Sequence, residues 1–179
     1  VFTLARLTHQ RPEFGIDSIV TGKRELAVTE ENVHTTPFAT LLRFRKHTTA
    51  AQPRVLIVAP MSGHFATLLR ETARTMLRDH DVYITDWHNA RDVPMEAGRF
   101  GIDDYIDHII EFLGVMGPGA HLVAICQPCV EALAAVALMA EDGHAATPAS
   151  LTLMAGPIDC RVNPTAVNEL ATSRPMRWF

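Results

Sequence analysis

The pattern of apolar and polar residues changes near residue 53 of this chain. Before that point, residues 25–31 alternate apolar and polar side chains, and residues 39–45 alternate in part. Alternation is typical of strands with one exposed face, so the two segments predict an antiparallel pair at the edge of a sheet. After that point, short and fully apolar runs predict strands that are covered on both faces, as in a parallel sheet.

Four apolar runs alternate with segments of helical spacing. Strands are predicted at residues 54–59, 81–86, 121–125 and 150–155, and helices at residues 66–78, 103–115 and 130–140. Such strand–helix repeats predict an α/β fold with a mainly parallel sheet and helices on both faces. We expect one domain, with an edge hairpin in residues 1–53, a parallel core in residues 54–156 and the start of a C-terminal or cap part in residues 157–179.

The connection between the strand at residues 121–125 and the next helix is very short. Cys126, Gln127 and Pro128 leave no room for a loop, so the chain must turn sharply at Cys126. This is the geometry of the nucleophile elbow, in which a strained turn exposes a nucleophile above the edge of an α/β-hydrolase sheet. Ala124 and Pro128 stand where the usual G-x-S-x-G pattern has glycine. The adjacent helix N-terminus would stabilise a thiolate.

The same residues allow two other interpretations. Cys126-Gln-Pro-Cys129 between a strand and a helix also has the form of a thioredoxin-like redox motif. Free cysteine is often buried as well, so both residues can simply be small members of the core.

Two backbone groups are candidates for an oxyanion hole. In hydrolases of this topology, one N–H comes from the residue after the nucleophile and another from the loop after an earlier strand. By position these residues are Gln127 and Met61. Ser62 and His64 follow in the same loop and are candidates for substrate contact, although Ser62 also fits a helix N-cap.

The ends of two other predicted strands carry further candidates. Trp87 follows the strand at residues 81–86, where it could line a substrate pocket or belong to a surface loop. Asp159 follows the strand at residues 150–155 and is an alternative candidate for a catalytic acid. The ordinary interpretation of Asp159 is a helix N-cap or a salt bridge to Arg161.

Composition and charge exclude several classes of function. The chain is 47% hydrophobic and 20% charged, with a net charge of −4 and no basic run, which argues against nucleic acid as a partner. No apolar run approaches a membrane span, and no secretory signal is visible. Three cysteines do not make a disulfide framework and favour a reducing cytoplasm. No paired Cys and His spacing indicates zinc, and no cofactor is expected.

Four blocks of sequence, taken in order, resemble the intracellular polyhydroxyalkanoate (polyhydroxybutyrate) depolymerases. They read VAPMSGHFATLLR at residues 58–70, DHDVYITDW at 79–87, CQP at 126–128, and LMAGPID at 153–159 followed by NPT at 163–165. Members of this family are similar in fold to α/β-hydrolases. They are also distantly similar to polyhydroxyalkanoate synthases, which use a cysteine nucleophile.

The resemblance implies a Cys-His-Asp esterase that cleaves a storage polyester on cytoplasmic granules, with Cys126 as the nucleophile. The implied partner is the polyester or the granule surface, and a homo-oligomer stays open. Members of the family are much longer than this chain, so we expect an incomplete α/β-hydrolase domain that is truncated before its last strands, with the catalytic His and Asp beyond Phe179. The family has no need of a second thiol at Cys129. A scaffold or granule-binding fragment without a complete triad is the non-catalytic alternative.

Overall fold

A computed structural model describes residues 10–61 and 65–178, and within these residues seven strands form a single sheet. The strands are β1 (Ser18–Thr21), β2 (Arg24–Thr35), β3 (Ala39–Lys46), β4 (Arg54–Val58), β5 (Asp81–Trp87), β6 (His121–Ile125) and β7 (Ser150–Met154). The helices are α1 (Arg70–Met76), α2 (Ile102–Met116), α3 (Cys129–Glu141) and α4 (Ala166–Ser173), with 3₁₀ turns at Ala66–Leu69, Met95–Ala97 and Met176–Trp178. The predicted strand starts at residues 54, 81, 121 and 150 are confirmed.

The strand order is β1-β2-β3-β5-β4-β6-β7, with β5, β4, β6 and β7 parallel and the other neighbours antiparallel. The crossover from β4 to β5 runs in the opposite direction from the crossovers that follow it. Right-handed connections therefore put α1 on one face and α2 and α3 on the other. The helices α2 and α3 contact each other, as this arrangement requires. The predicted α/β architecture is confirmed, with a mixed sheet that is parallel in its core.

The N-terminal strands differ from the prediction in one respect. The predicted antiparallel pair exists as β2 and β3, but it does not form the edge of the sheet. The short strand β1 pairs outside β2, and β3 pairs with β5 on its other side. Most of β3 is therefore buried, whereas β2 is exposed along most of its length. The strand β1 has only four residues, which is too few to show an alternating pattern.

Two helices, α2 and α3, bury one face each. The buried face of α2 consists of Tyr105, Ile109, Phe112, Leu113 and Met116, which recur at helical spacing. The buried face of α3 consists of the smaller residues Cys129, Ala132, Ala135 and Met139. Small side chains allow α3 to approach the sheet closely, which brings its first turn against the ends of β6 and β7.

The chain beyond β7 lies on the surface. No described side chain in residues 155–178 is buried, and several large apolar ones are exposed, among them Ile158, Val162, Val167 and Trp178. Alternate residues of β7, including Met154, are exposed too. The predicted boundaries at residues 53 and 156 stay predictions. No helix of the described residues is long and apolar enough to cross a membrane.

Candidate active site at the carboxyl edge of the sheet

The chain turns at Cys126 in the manner that the sequence predicts. The strand β6 ends at Ile125, and α3 begins at Cys129. Cys126 is exposed and has a φ of 69°, in the left-handed region that residues other than glycine seldom adopt. The Cys126 N–H donates to Met154 O at 2.8 Å, and the Cys126 carbonyl accepts from Cys129 N–H at 3.2 Å. The strained turn is therefore held from both β7 and α3.

The two residues predicted to supply oxyanion donors, Met61 and Gln127, are in contact through the Gln127 side chain. The Met61 N–H donates to Oε1 of the Gln127 side chain at 3.2 Å. That oxygen belongs to an amide carbonyl, which is an acceptor of the same chemical type as the carbonyl oxygen of an ester. The Met61 N–H is thus directed at an acceptor that belongs to the residue next to Cys126. Ser62 and His64 lie outside the described residues.

Buried side chains hold the residue two positions before Met61. The Ala59 carbonyl accepts from Trp87 Nε1 at 2.8 Å and from Tyr105 Oη at 2.9 Å. The Ala59 N–H donates to Thr85 Oγ1 at 2.9 Å. The Trp87 and Tyr105 rings are stacked, with centroids 4.4 Å apart. Burial raises the pKa of Tyr105, so its hydroxyl stays protonated as a donor.

Trp87 has less contact with solvent than the sequence suggests. Only 3% of its surface is exposed, and its indole N–H is already bonded to Ala59. It does border a cavity of about 380 Å³, whose other lining residues are the apolar Pro37, Phe65, Val93 and Pro94 and the polar Gln10, Arg11, His88, Asn89 and Asp92. A substrate in that cavity would meet part of the indole ring and the neighbouring apolar residues. Its predicted role in substrate binding stays a prediction.

Asp159 forms the predicted salt bridge to Arg161. Its carboxylate accepts from Nε and Nη2 of Arg161 at 2.8 Å each, and from the Arg161 N–H at 3.0 Å. These bonds lower the pKa of Asp159. A catalytic role for this exposed carboxylate stays a prediction. Among residues 10–61 and 65–178, no three His, Cys, Asp or Glu side chains lie close enough together to hold a metal ion.

Cys129 lies under the elbow rather than beside Cys126 on the surface. It is completely buried, and its thiol donates to the carbonyls of Ala124 at 3.3 Å and Met154 at 3.5 Å. Burial raises the pKa of the Cys129 thiol, so the reactive thiolate is disfavoured. This favours a packing role over a dithiol motif. The third cysteine, Cys160, is exposed.

Gly156 makes room for Cys129. A Cβ on Gly156 would lie 2.1 Å from the Cys129 Cβ and 2.4 Å from its Sγ, distances that no side chain can accept. Just before Gly156, Ala155 has a φ of 53° and turns the chain away from β7. The end of β7 can therefore touch the first turn of α3 only because residue 156 has no side chain.

The sequence analysis did not identify Tyr105, Thr85 or Gly156 as parts of this site. Tyr105 lies within the predicted helix at residues 103–115, and Thr85 within the predicted strand at residues 81–86. Each carries a hydroxyl in an otherwise apolar setting, and a buried hydroxyl requires a hydrogen-bond partner. That requirement indicates that each hydroxyl has a hydrogen-bond partner, but it does not identify Ala59 as that partner.

Comparison with known proteins bears on the fold. No protein-family model matches the chain, and no curated protein sequence matches it. Among solved structures, it is similar to a serine-to-alanine mutant of LAE6, an α/β hydrolase enzyme from the metagenome of Lake Arreo, Spain. The TM-score is 0.51 at 18% sequence identity. This chain has an α/β-hydrolase-like fold. The match covers 93% of it and 51% of the other chain, so it spans about half the length of that hydrolase.

Because Cys129 is buried, we expect mild oxidant to leave it out of any disulfide with Cys126. In a Cys160→Ser background, the free thiol of Cys126 should be lost to hydrogen peroxide at the same rate with and without the further change Cys129→Ala. Thiol counting and intact-mass measurement give both rates. The expectation would be contradicted if oxidation removed two thiols per chain, if reductant reversed that loss, and if the loss were absent in Cys129→Ala. The two cysteines would then act as a redox motif.

We expect Gly156→Ala to destabilise the fold by about 1–3 kcal/mol, the usual cost of overpacking a tight site. The reason is the overlap between the new methyl group and Cys129. Urea unfolding gives the free energy. Gly114→Ala is the matched control, because Gly114 lies inside α2 and a Cβ there would approach nothing closer than 4.0 Å. That control should be neutral or stabilising, since alanine favours a helix by about 0.5–1 kcal/mol over glycine.

The partner residue offers a second check on the same contact. Cys129→Gly should cost less stability in the Gly156→Ala background than in the wild type, because it removes the overlap, and Cys129→Ala should show a smaller difference, because alanine keeps the Cβ that overlaps. Equal stability of Gly156→Ala and the wild type would show that the end of β7 does not depend on this contact.

Proposed function

We propose that this chain is the nucleophile-bearing part of a carboxylic ester hydrolase, with Cys126 as the nucleophile. The observation that carries the proposal is the exposed Cys126 at φ 69° between β6 and α3, beside a Met61 N–H that is bonded to a carbonyl-type oxygen. A strained turn at the carboxyl edge of a parallel sheet is where α/β-hydrolases carry their nucleophile. The likeness to LAE6 supports the fold that this assignment requires.

The reaction would proceed through an acyl-enzyme. The Cys126 thiolate attacks the ester carbonyl, the C–O bond breaks, and the leaving alcohol takes a proton. The N–H groups of Met61 and Gln127 would stabilise the oxyanion while the carbonyl carbon is tetrahedral. Before that, the Gln127 side chain would have to move away, so that the Met61 N–H can bond to the substrate oxygen instead. Water then releases the acid and restores the thiol.

The substrate class follows from the resemblance in sequence rather than from the fold. The blocks at residues 58–70, 79–87, 126–128 and 153–165 resemble intracellular polyhydroxyalkanoate depolymerases. We therefore propose a polyester of 3-hydroxyacyl units as the substrate, cleaved at the surface of a cytoplasmic storage granule. The catalytic His and its Asp are proposed to lie beyond residue 179. A homo-oligomer is compatible with the apolar surface beyond β7.

The redox alternative has less support. A dithiol exchange needs a second thiol that can reach and attack the first. Cys129 is buried and bonded to two carbonyls, so it does not meet this requirement. A non-catalytic scaffold would need neither the strained turn at Cys126 nor the alignment of Met61 with Gln127.

The test is acylation of the chain of residues 1–179 by p-nitrophenyl butyrate at pH 8. Cys126 should take up one butyryl group, seen by intact mass and peptide mapping, with a burst of nitrophenolate and little turnover. Cys126→Ala should show no burst, and Cys126→Ser should react slower by at least about 10², because a hydroxyl depends far more on a general base than a thiol does. Cys160→Ser is the matched control for an exposed thiol and should keep the burst.

A burst that persists in Cys126→Ala would assign the nucleophile elsewhere and reject the proposal. The substrate class is tested with activated esters of equal chain length. An aryl ester of a 3-hydroxybutyrate dimer should acylate Cys126 faster than an aryl ester of an unbranched acid of the same number of backbone atoms. The opposite order would reject the polyester and leave a general ester hydrolase.

A further inference from the structure

The first peptide beyond β4 is held by buried side chains from two other elements. The ladder of β4 with β5 ends at the pair Ile57–Ile84, and its ladder with β6 ends at the pair Val58–Ala124. Ala59 is thus the first residue beyond both ladders, and its N–H and carbonyl need new partners. Thr85 and Trp87 of β5 and Tyr105 of α2 provide them.

This set of bonds fixes the direction of the Ala59 peptide. One donor would satisfy the carbonyl, whereas two donors at 2.8 Å and 2.9 Å occupy both of its lone-pair directions. Trp87 and Tyr105 are stacked on each other with an interplanar angle of 19°, so neither donor turns without moving the other. The third bond, from the Ala59 N–H to Thr85, holds the same residue from its other side.

We propose that Tyr105, Trp87 and Thr85 are positioning residues that aim the Met61 N–H at the carbonyl oxygen of the ester, an inference that rests on the proposed function. Pro60 is the only residue between Ala59 and Met61, and its ring restricts φ to about −65°. With the peptide planar and φ restricted, ψ of Pro60 is the one backbone torsion left between the Ala59 carbonyl and the Met61 N–H, so holding Ala59 in place narrows the directions that this N–H can take. An oxyanion donor acts only within about 2.7–3.1 Å of the oxygen that it stabilises, so a small rotation removes its effect.

The experiment deletes one bond at a time and compares two reactions of Cys126. Acylation by p-nitrophenyl butyrate passes through an oxyanion, whereas alkylation by iodoacetamide does not. Tyr105→Phe and Thr85→Val should each lower the acylation rate at saturating ester by about two- to tenfold, the loss expected for one hydrogen bond. The ester concentration at half-saturation and the alkylation rate should not change.

The control is the other tyrosine of the chain. Tyr83 lies inside β5, away from the end of the strand, with the guanidinium of Arg43 5.5 Å from the centroid of its ring. Tyr83→Phe removes the same hydroxyl group and should change neither rate. Urea unfolding of all variants shows whether a slower acylation follows from lost stability instead.

A second readout does not depend on ester chemistry. The amide proton of Met61, observed by ¹H–¹⁵N NMR, should exchange faster with solvent in Tyr105→Phe and Thr85→Val, because its bond to Gln127 is misaligned. It should keep its wild-type rate in Tyr83→Phe. If the wild type is alkylated but never acylated, the proposed function fails, while this exchange rate still decides the positioning role.

Two results would overturn the inference. One is an equal fall of acylation and alkylation in Tyr105→Phe and Thr85→Val, which would mean that these residues affect the thiol itself. The other is an unchanged acylation rate together with unchanged exchange at Met61, which would mean that Ala59 holds its direction without them.

Discussion

Only Cys126, Gln127 and Pro128 lie between the last residue of β6 and the first residue of α3, and this short connection constrains everything around it. A strand can turn into a helix over so few residues only if one of them leaves the ordinary regions of backbone conformation, and Cys126 does so. The turn then needs support from its neighbours. The Met154 carbonyl provides it from β7, and the absence of a side chain at Gly156 lets β7 come near enough.

The opposite side of the site is organised by hydrogen bonds rather than by close packing. Beyond the end of β4, the backbone of Ala59 makes no strand-to-strand hydrogen bonds with the residues that the structure describes. Side chains from β5 and α2 bond to its N–H and carbonyl instead. The two halves of the site meet where the Met61 N–H bonds to the Gln127 side chain. The half around Cys126 is held by the strained turn. The half around Ala59 is held by the buried donors of Trp87 and Tyr105, which both bond to its carbonyl. Both halves are tied to the sheet, as the proposed reaction would require of groups that hold a tetrahedral carbon in one place.

The sequence predicts those parts of this arrangement that depend on local pattern. The buried strands at residues 54, 81, 121 and 150 are signalled by continuous apolar runs, and the turn at Cys126 by the lack of any loop residues. Contacts between residues that are far apart in the chain cannot be predicted from local pattern. Nothing near Tyr105 in the chain reveals that its hydroxyl meets Ala59, and nothing near Gly156 reveals Cys129. The sequence also places β2 at the edge of the sheet, because the outer strand β1 that covers it has only four residues and leaves almost no pattern.

The backbone conformation of Cys126 also determines which substitutions at this position would stabilise the fold. A residue with a Cβ in the left-handed region costs of order 1–2 kcal/mol, and glycine at that position would remove the cost. A population selected for folding alone would therefore tend to lose the sulfur and accumulate glycine or asparagine there. The strain at Cys126 is thus a cost to the fold that the proposed nucleophilic role of its thiol would offset.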